Sequence, residues 1–417
     1  MKKQLVIIVG NCYPIASANG NLALKCAQYL KKDYNIRIIA VKQSSFNAVD
    51  FDMGDNIKLY TTGRVRLDWY NKHRRLYFES QGIMKKLYNA SCFLARALGK
   101  IDSTFFHMDN MWWYRNSAYK LLEKLNSEKK IDAIISFCMP IESHLAAMMF
   151  KQKHNGILWA SYWADDFAVK SNKKNIFISL KKLERIESDI LNKSDVIFST
   201  EEISCLLKKY LNKNQDRLIP VPYTVCTSKA HKTSIKSNRS DVTCVYMGTL
   251  YKNIRNPEFL LKTFTDPLLS DVKLLLYIRG DCNDIVEKYE RNNSDIIVSD
   301  FIPKEQLEKV INDSDILINI DNVNCNGKPS KLYELISYRK PIINFSYNED
   351  LGALSKYPCK LQISMQDDTH NAANKVRDFI ISETFSNVII TAEQIEQLYY
   401  HHTENYVCEL VNKALQK

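Results

Sequence analysis

Short runs of apolar, mostly β-branched residues alternate with longer helical patterns in two separate blocks of the chain, and this alternation limits the fold more than any other feature. In the first block QLVIIV (4–9) precedes a helical pattern over 21–31 and then IRIIAV (36–41). Further on, DAIISF (132–137), a helical pattern over 142–153 and ILWASYW (157–163) repeat the order. Strands that are apolar throughout are buried on both faces, and their alternation with helices builds a parallel sheet covered on each side. From 222 to 241 the sequence PYTVCTSKAHKTSIKSNRSD loses periodicity and fills with Ser, Thr and Lys, as a linker does. Beyond it come VTCVYMG, a helix from Pro257, VKLLLYIRG, a helix from Asn283, DIIVSD, a helix from Lys304, DILINID, a helix from Pro329, and KPIINF.

The expected fold class is therefore α/β, with two Rossmann-like, doubly wound domains at 1–221 and 242–390, a linker at 222–241, and a helical segment at 391–417. The 417 residues suit two or three domains, and 45% hydrophobic with 25% charged residues is ordinary globular composition. No later run approaches the roughly 18 apolar residues of a membrane span. The opening MKKQLVIIVGNCYPIASANGN has the basic start and the Ala16-Ser17-Ala18 site of a secretory signal, but its apolar run stops at Val9. A signal core needs roughly 7 to 15 apolar residues. The stretch is predicted to be a buried first strand followed by a loop of small residues that either faces a phosphate or is simply a flexible surface loop.

Eleven cysteines, none in CxxC spacing, and eight scattered histidines predict neither a metal centre nor a redox pair. Cys138 and Cys244 lie inside apolar runs and read as core thiols of a cytoplasmic protein. The net charge of +11 favours an anionic partner or simply solubility. Basic residues gather at Arg64, Arg66, Lys72, Arg74, Arg75, Lys85, Lys86, Arg96 and Lys100, yet no nucleic-acid module is recognisable, so no nucleic-acid partner is expected.

In DILINIDNVNCNGKPSKLYELISYRKPIINF (315–345) a buried strand is followed by a polar loop with Gly327 and Lys328, and Pro329-Ser330 open a helix with Glu334 one turn inside. Proline in the first turn wastes no amide, and the free amides with the positive helix end suit an anion near Ser330 and Lys331. Glu334 is either a dipole partner of the helix or an acceptor for ribose hydroxyls beside the phosphate.

GKPSKLYELISYRKPII resembles the nucleotide-sugar motif of retaining GT-B glycosyltransferases of the family 4 type, roughly P-S-K-x-x-E-Y-x-A-x-G-K-P-I-I. VYMGTLYKNIRNPEFLLKTF is similar to that family's strand, Gly-Arg-Leu turn and helix, and DFIPKEQLEKVINDSDILINI to its base-facing segment. IDAIISFCMPIESHLAAMMFKQKHNGILWASYWADDF is similar to an N-terminal strand, loop and helix of the family. The resemblance implies two domains facing a cleft, a C-terminal helix crossing back to the N-terminal domain, and transfer of a sugar from a nucleotide donor to a glycan or lipid-linked glycan in surface polysaccharide biosynthesis. Retention, and no cofactor or metal, are implied as well.

Carried over by position, Glu334 would bind the donor ribose, Ser330 and Lys331 the diphosphate, and Arg255 the leaving group together with Lys328. Ile302 would face the base, and Gly20 the donor phosphate or acceptor. Asn326, His144 and Asp165 are the candidate catalytic residues. His144 holds the family's histidine position and either contacts the acceptor or is a histidine of the helix N-terminus with no chemistry, and Asp165, beside Asp166, orients acceptor or sugar or else caps a strand end. Asn326 stands where many members carry the first of two glutamates, and Thr249 replaces the arginine of the Gly-Arg-Leu turn. Asn326 can hydrogen-bond a hydroxyl but brings no charge to a developing oxocarbenium ion, which leaves a non-catalytic nucleotide-sugar-binding relative as one alternative; a basic membrane- or nucleic-acid-binding protein, suggested by the net charge of +11, is the other.

Between 83 and 101 a helical pattern puts Ile83, Leu87, Leu94, Leu98 and Ile101 on one face and Lys85, Lys86, Arg96 and Lys100 on the other. Such a helix either packs its apolar face on the domain core, the ordinary reading, or lies on an anionic membrane at the inner face of the cell.

Overall fold

The computed structural model describes residues 2–13, 16–42, 50–54, 56–62, 65–105, 112–168, 179–211, 215–226, 242–300, 302, 304–323, 330–382, 385 and 389–416. The chain forms two compact units, Met1–Pro222 with Val407–Lys417, and Tyr223–Tyr406.

The first unit contains β1 (Lys3–Ile8), α1 (Ala18–Leu30), β2 (Tyr34–Val41), β3 (Asp50–Asp52), β4 (Ile57–Thr62), α2 (Val65–Glu79), α3 (Gly82–Phe105) and α4 (Trp112–Glu128). It continues through β5 (Ala133–Cys138), α5 (Glu142–Lys153), β6 (Leu158–Trp163), α6 (Leu180–Lys193), β7 (Val196–Ser199), α7 (Glu201–Leu207) and β8 (Leu218–Pro220). Its sheet runs β3-β4-β2-β1-β5-β6-β7-β8, all parallel except the short edge strand β3. β1 lies between β2 and β5, with Ile7 opposite Ile38 and Ile135, which is why LVIIV (5–9) is apolar at every position. Val6 and Ile8 join a core with Tyr114, Ala118 and Leu122 of α4 and Ala146, Ala147 and Phe150 of α5. Leu5 and Ile7 point to the opposite face by the period of the strand, where α1 buries Ala23, Ala27 and Leu30.

The second unit contains β9 (Val242–Leu250), α8 (Glu258–Phe264), β10 (Val272–Gly280), α9 (Asn283–Glu290), β11 (Ile296–Asp300), α10 (Lys304–Asp313) and β12 (Ile316–Ile320). α11 (Ser330–Ile336), β13 (Ile342–Ser346), β14 (Lys360–Ser364), α12 (Thr369–Ile381) and α13 (Ala392–Leu398) complete it. The sheet order is β11-β10-β9-β12-β13-β14, the dinucleotide-fold order in which the chain reverses direction between its first and fourth strands. The first unit uses the same order around β1 and β5. The last helix, α14 (Glu404–Gln416), belongs to the first unit from Val407 onward. There it buries Val407, Val411 and Leu415, and Asn412 donates to Asp33 at 2.9 Å.

Two glycines are dictated by contact with the chain's own backbone. Gly20, expected in a loop facing a ligand, lies instead in the first turn of α1 and is buried; a Cβ there would sit 2.1 Å from the Asn11 carbonyl oxygen. The approach it permits is therefore that of the loop after β1 to α1. Gly280 ends β10 with φ of +132°, and a Cβ would sit 1.8 Å from the Leu250 carbonyl oxygen at the end of β9. The apolar face of α3 also departs from its ordinary reading. Ile83, Leu87, Leu94 and Leu98 are 78, 56, 51 and 45% exposed, while Cys92 and Ala95 on another side are buried.

Gly20→Ala and Gly280→Ala are each expected to destabilise their unit by about 1–3 kcal/mol, the usual range for overpacking. Gly156, where a Cβ meets nothing within 4 Å, should accept alanine within about 0.5 kcal/mol. Thermal unfolding of the three variants checks the contrast.

Candidate functional site

In the second unit the strand-order reversal between β9 and β12 opens a crevice at the carboxyl ends of the strands, the place where open α/β sheets bind ligands. The turn after β9 is pinned there: Tyr251 and Arg255 exchange backbone hydrogen bonds, and the Val323 amide, just beyond β12, donates to the Ile254 carbonyl at 2.7 Å. Arg255 is thereby held against the end of β9, where its guanidinium works against the rise that burial causes in the Tyr246 phenol pKa. Among the described residues its buried Nε has no hydrogen-bond partner. A guanidinium with donor capacity left over is suited to an anion, which accepts several short charge-assisted hydrogen bonds.

Thr249 is in the last turn of β9, and its hydroxyl accepts from Arg279 Nε at 3.0 Å across the register pair Thr249↔Arg279. Arg279 is a cation at this edge that the sequence reading missed. On α11 Lys331 Nζ donates to Glu334 Oε2 at 2.9 Å, so the residues expected to hold diphosphate and ribose are paired with each other here. Glu334 is half-exposed at 49% and accessible to a ligand. Ile302 follows β11 and is partly buried. Asn326 and Lys328 lie outside the described residues, as does the side chain of Ser330.

At the ends of β12, β13 and β14 runs a ladder of amides. Asn319 Nδ2 donates to Asn344 Oδ1 at 2.7 Å and to Asp321 Oδ1 at 2.9 Å. Asn344 Nδ2 donates to Asp321 Oδ2 at 3.2 Å and Gln362 Oε1 at 3.3 Å. The three amides are register partners on β12, β13 and β14, and Asn319 and Asn344 are each 1% exposed. A buried amide belongs in a strand only when partnered, and this one ties three strand ends to the carboxylate that opens the site loop. A lone Asn inside ILINI and again inside IINFS was the available signal.

The motif around 330–343 also carries structural residues. Arg339 has φ of +56° where the resembled pattern has glycine, the left-handed position that ends a helix. Lys340 is buried and donates to the Asn312 carbonyl at 3.0 Å and to that of Ser314.

In the first unit His144 has no exposed surface. It is buried completely in α5, with Nδ1 2.7 Å from Ser136 Oγ, which also accepts from Trp159 Nε1 at 2.8 Å. Its ring lies 4.5 Å from that of Trp163. Burial pushes its pKa down to about 3, and a backbone hydrogen bond at Tyr162 offsets this only in part. A helix histidine in the first turn was pulled inward because β5 supplies a serine at its level. Asp165 and Asp166 are partly buried in the turn after β6. Glu187 of α6 is fully buried; desolvation, then the Asp166 charge, raise its carboxyl to about 7.

No family model matches the chain, and no curated protein matches its sequence. Solved structures do match in fold. A sucrose-phosphate synthase from Thermosynechococcus elongatus has a TM-score of 0.65 at 9% identity, over 100% of this chain and 98% of that one. An E. coli structure described as trehalose-6-phosphate bound with UDP-2-fluoro glucose gives 0.60 at 12%, over 100% and 99%. A UDP-N-acetylglucosamine 2-epimerase structure from Listeria monocytogenes gives 0.57 at 8%, over 100% and 96%.

His144 and Glu187 tilt stability with pH in opposite senses. Unfolded His144 takes up its proton below about 6.5 while the folded ring resists until about 3, so stability falls as pH drops through that window. Glu187 is ionised above about 4.5 when unfolded but only above about 7 when folded, so its penalty grows between those values and persists above. Glu187→Gln should raise stability at pH 8, on the order of 1–3 kcal/mol, and change it little at pH 4.5; urea unfolding at the two pH values measures the difference. At these identities the likeness to the solved structures establishes the fold the chain shares with them, two Rossmann-like units of the GT-B kind.

Proposed function

We propose that this protein is a glycosyltransferase: it moves a sugar from a nucleotide-sugar donor to a glycan or lipid-linked glycan, with retention, in surface polysaccharide biosynthesis. The observation that carries the reading is the crevice of the second unit, where the half-paired Arg255 guanidinium stands at the switch point of a dinucleotide-type sheet. Lys331 and Glu334 rise from α11, the helix that follows the site loop.

In this reading the leaving diphosphate takes Arg255 and Lys331 as counter-charges, and it displaces Lys331 from Glu334. Glu334, released, accepts the ribose hydroxyls. Ile302 lies against the base. The two cations stabilise the charge that builds on the leaving group, Arg255 from a pinned turn and Lys331 after it has exchanged Glu334 for the diphosphate, so the transfer runs without a metal ion. One solved structure of the same fold carries a UDP-sugar analogue according to its description. The epimerase of that fold keeps a second chemistry in view, but isomerisation requires an acid and a base flanking the sugar. His144, a histidine expected near the chemistry, is completely buried. The protein works in the cytoplasm, where nucleotide sugars are made, on an acceptor at the inner membrane face.

A second reading keeps donor binding and omits turnover. It is favoured by Thr249, which stands where the resembled family has arginine and whose hydroxyl is engaged by Arg279.

Calorimetric titration with UDP, GDP, CDP and ADP should show one selective nucleotide. Glu334→Ala and Arg255→Ala should each weaken it about 10- to 100-fold, the range for a charge-assisted hydrogen bond. Transfer or slow donor hydrolysis that persists in EDTA supports the enzyme. Binding with neither reaction establishes the second reading, and binding by no nucleotide overturns both.

A further inference from the structure

We propose that the outward face of α3 is a docking surface for an anionic lipid bilayer. The surface lies in the first unit and does not depend on the sugar-transfer reading. Ile83, Leu87, Leu94 and Leu98 fall within about 60° of one another around the helix at 3.6 residues per turn, forming a stripe about 22 Å long. All four are exposed, as are Met84 at 48% and Phe93 at 71% beside them. Soluble surfaces scatter such residues singly, and a continuous line of them marks an interaction site.

The opposite side of α3 is accounted for by α2. Cys92 and Ala95 are buried, Lys85 lies 5.1 Å from the centre of the Tyr77 ring, and Arg96 lies 5.6 Å from that of Tyr70. The helix therefore does not hide its stripe against its neighbour. Next to the stripe is an open groove lined by Lys86, Asn89, Ala90, Phe93, Arg96 and Ala97. Two cations around an exposed phenylalanine match the border between lipid phosphates and acyl chains.

Charge selects the occupant. Residues 65–105 hold eight Lys and Arg against three Asp and Glu, a net +5. A second copy of the chain would set two such surfaces face to face, whereas a bilayer of anionic lipid meets this one with opposite charge. Among the described residues no helix is long and apolar enough to cross a membrane. The geometry is that of a helix lying in the interface, with its stripe among the acyl chains and its basic flanks at the headgroups.

The test is co-sedimentation of the full chain with vesicles of phosphatidylcholine alone or mixed with phosphatidylglycerol. Binding to the anionic vesicles should be about tenfold or more tighter, and should weaken between about 0.1 and 0.5 M salt as screening shortens. The variant with Ile83→Ser, Leu87→Ser, Leu94→Ser and Leu98→Ser should lose about tenfold or more of that affinity at an unchanged circular dichroism spectrum and melting temperature. Lys86→Gln with Arg96→Gln, a gentler change, should weaken binding severalfold and flatten its salt dependence. Equal binding to both vesicle types, no binding, or serine and glutamine variants that bind like wild type would overturn the proposal. So would a wild-type dimer in sedimentation velocity that the serine substitutions convert to monomer, since a second copy would then cover the stripe.

Discussion

Everything in each unit hangs on parallel pairing of strands that are apolar on both faces. β1 between β2 and β5, and β9 between β10 and β12, are flanked by strands and must also be covered above and below. Helices supply that cover, and each return through a helix delivers the next strand in the same direction. All carboxyl ends consequently collect on one edge of the sheet. At the reversal of strand order two neighbouring loops depart to opposite sides and leave a crevice between them. The second unit uses that crevice for its charged side chains. In the first unit the loops after β1 and β5 come close together: a Cβ on Gly10 would meet Pro140 Cδ at 2.7 Å.

The polar groups of the second unit are ordered in two depths. At the surface, Lys331 with Glu334 and Arg279 with Thr249 are half-exposed pairs whose net worth is small in water. A ligand can exchange for them at little cost, which suits a site that must open and refill. Below them Asn319, Asn344, Gln362 and Asp321 form a ladder shielded from solvent at its centre. Breaking it would strand the buried amides of Asn319 and Asn344. The loop after β12 thus starts from a rigid base, while the side chains that would touch a ligand remain exchangeable.

The strands around each sheet's centre were legible because each is a continuous apolar run. β3, β4, β7, β8 and β14 were not foreseen: β3 spans three residues and β7 four, and β14 is half-buried along most of its length, so none of these three gives a clean signal. Individual roles at the site were harder to read. Gly20 was taken for a ligand-facing loop residue and serves helix packing, because the steric need for glycine is the same whichever backbone or ligand comes close. His144 lies in the first turn of α5, where sequence alone does not give the depth of the helix below the sheet edge. Ser136, eight residues earlier, shares its buried hydrogen bond.

By itself, the sequence determined the α/β class, the double use of one architecture, and the cationic and acidic residues grouped around 330–334, since periodicity and residue type are local properties of the chain. Only the tertiary structure decided which of those residues stand at a strand-end crevice, that the amides of three strands interlock beneath it, and that the apolar face of α3 points to solvent instead of the core. Those outcomes depend on register and on what packs beside each helix, and pairing between residues far apart in the chain leaves no periodicity to read.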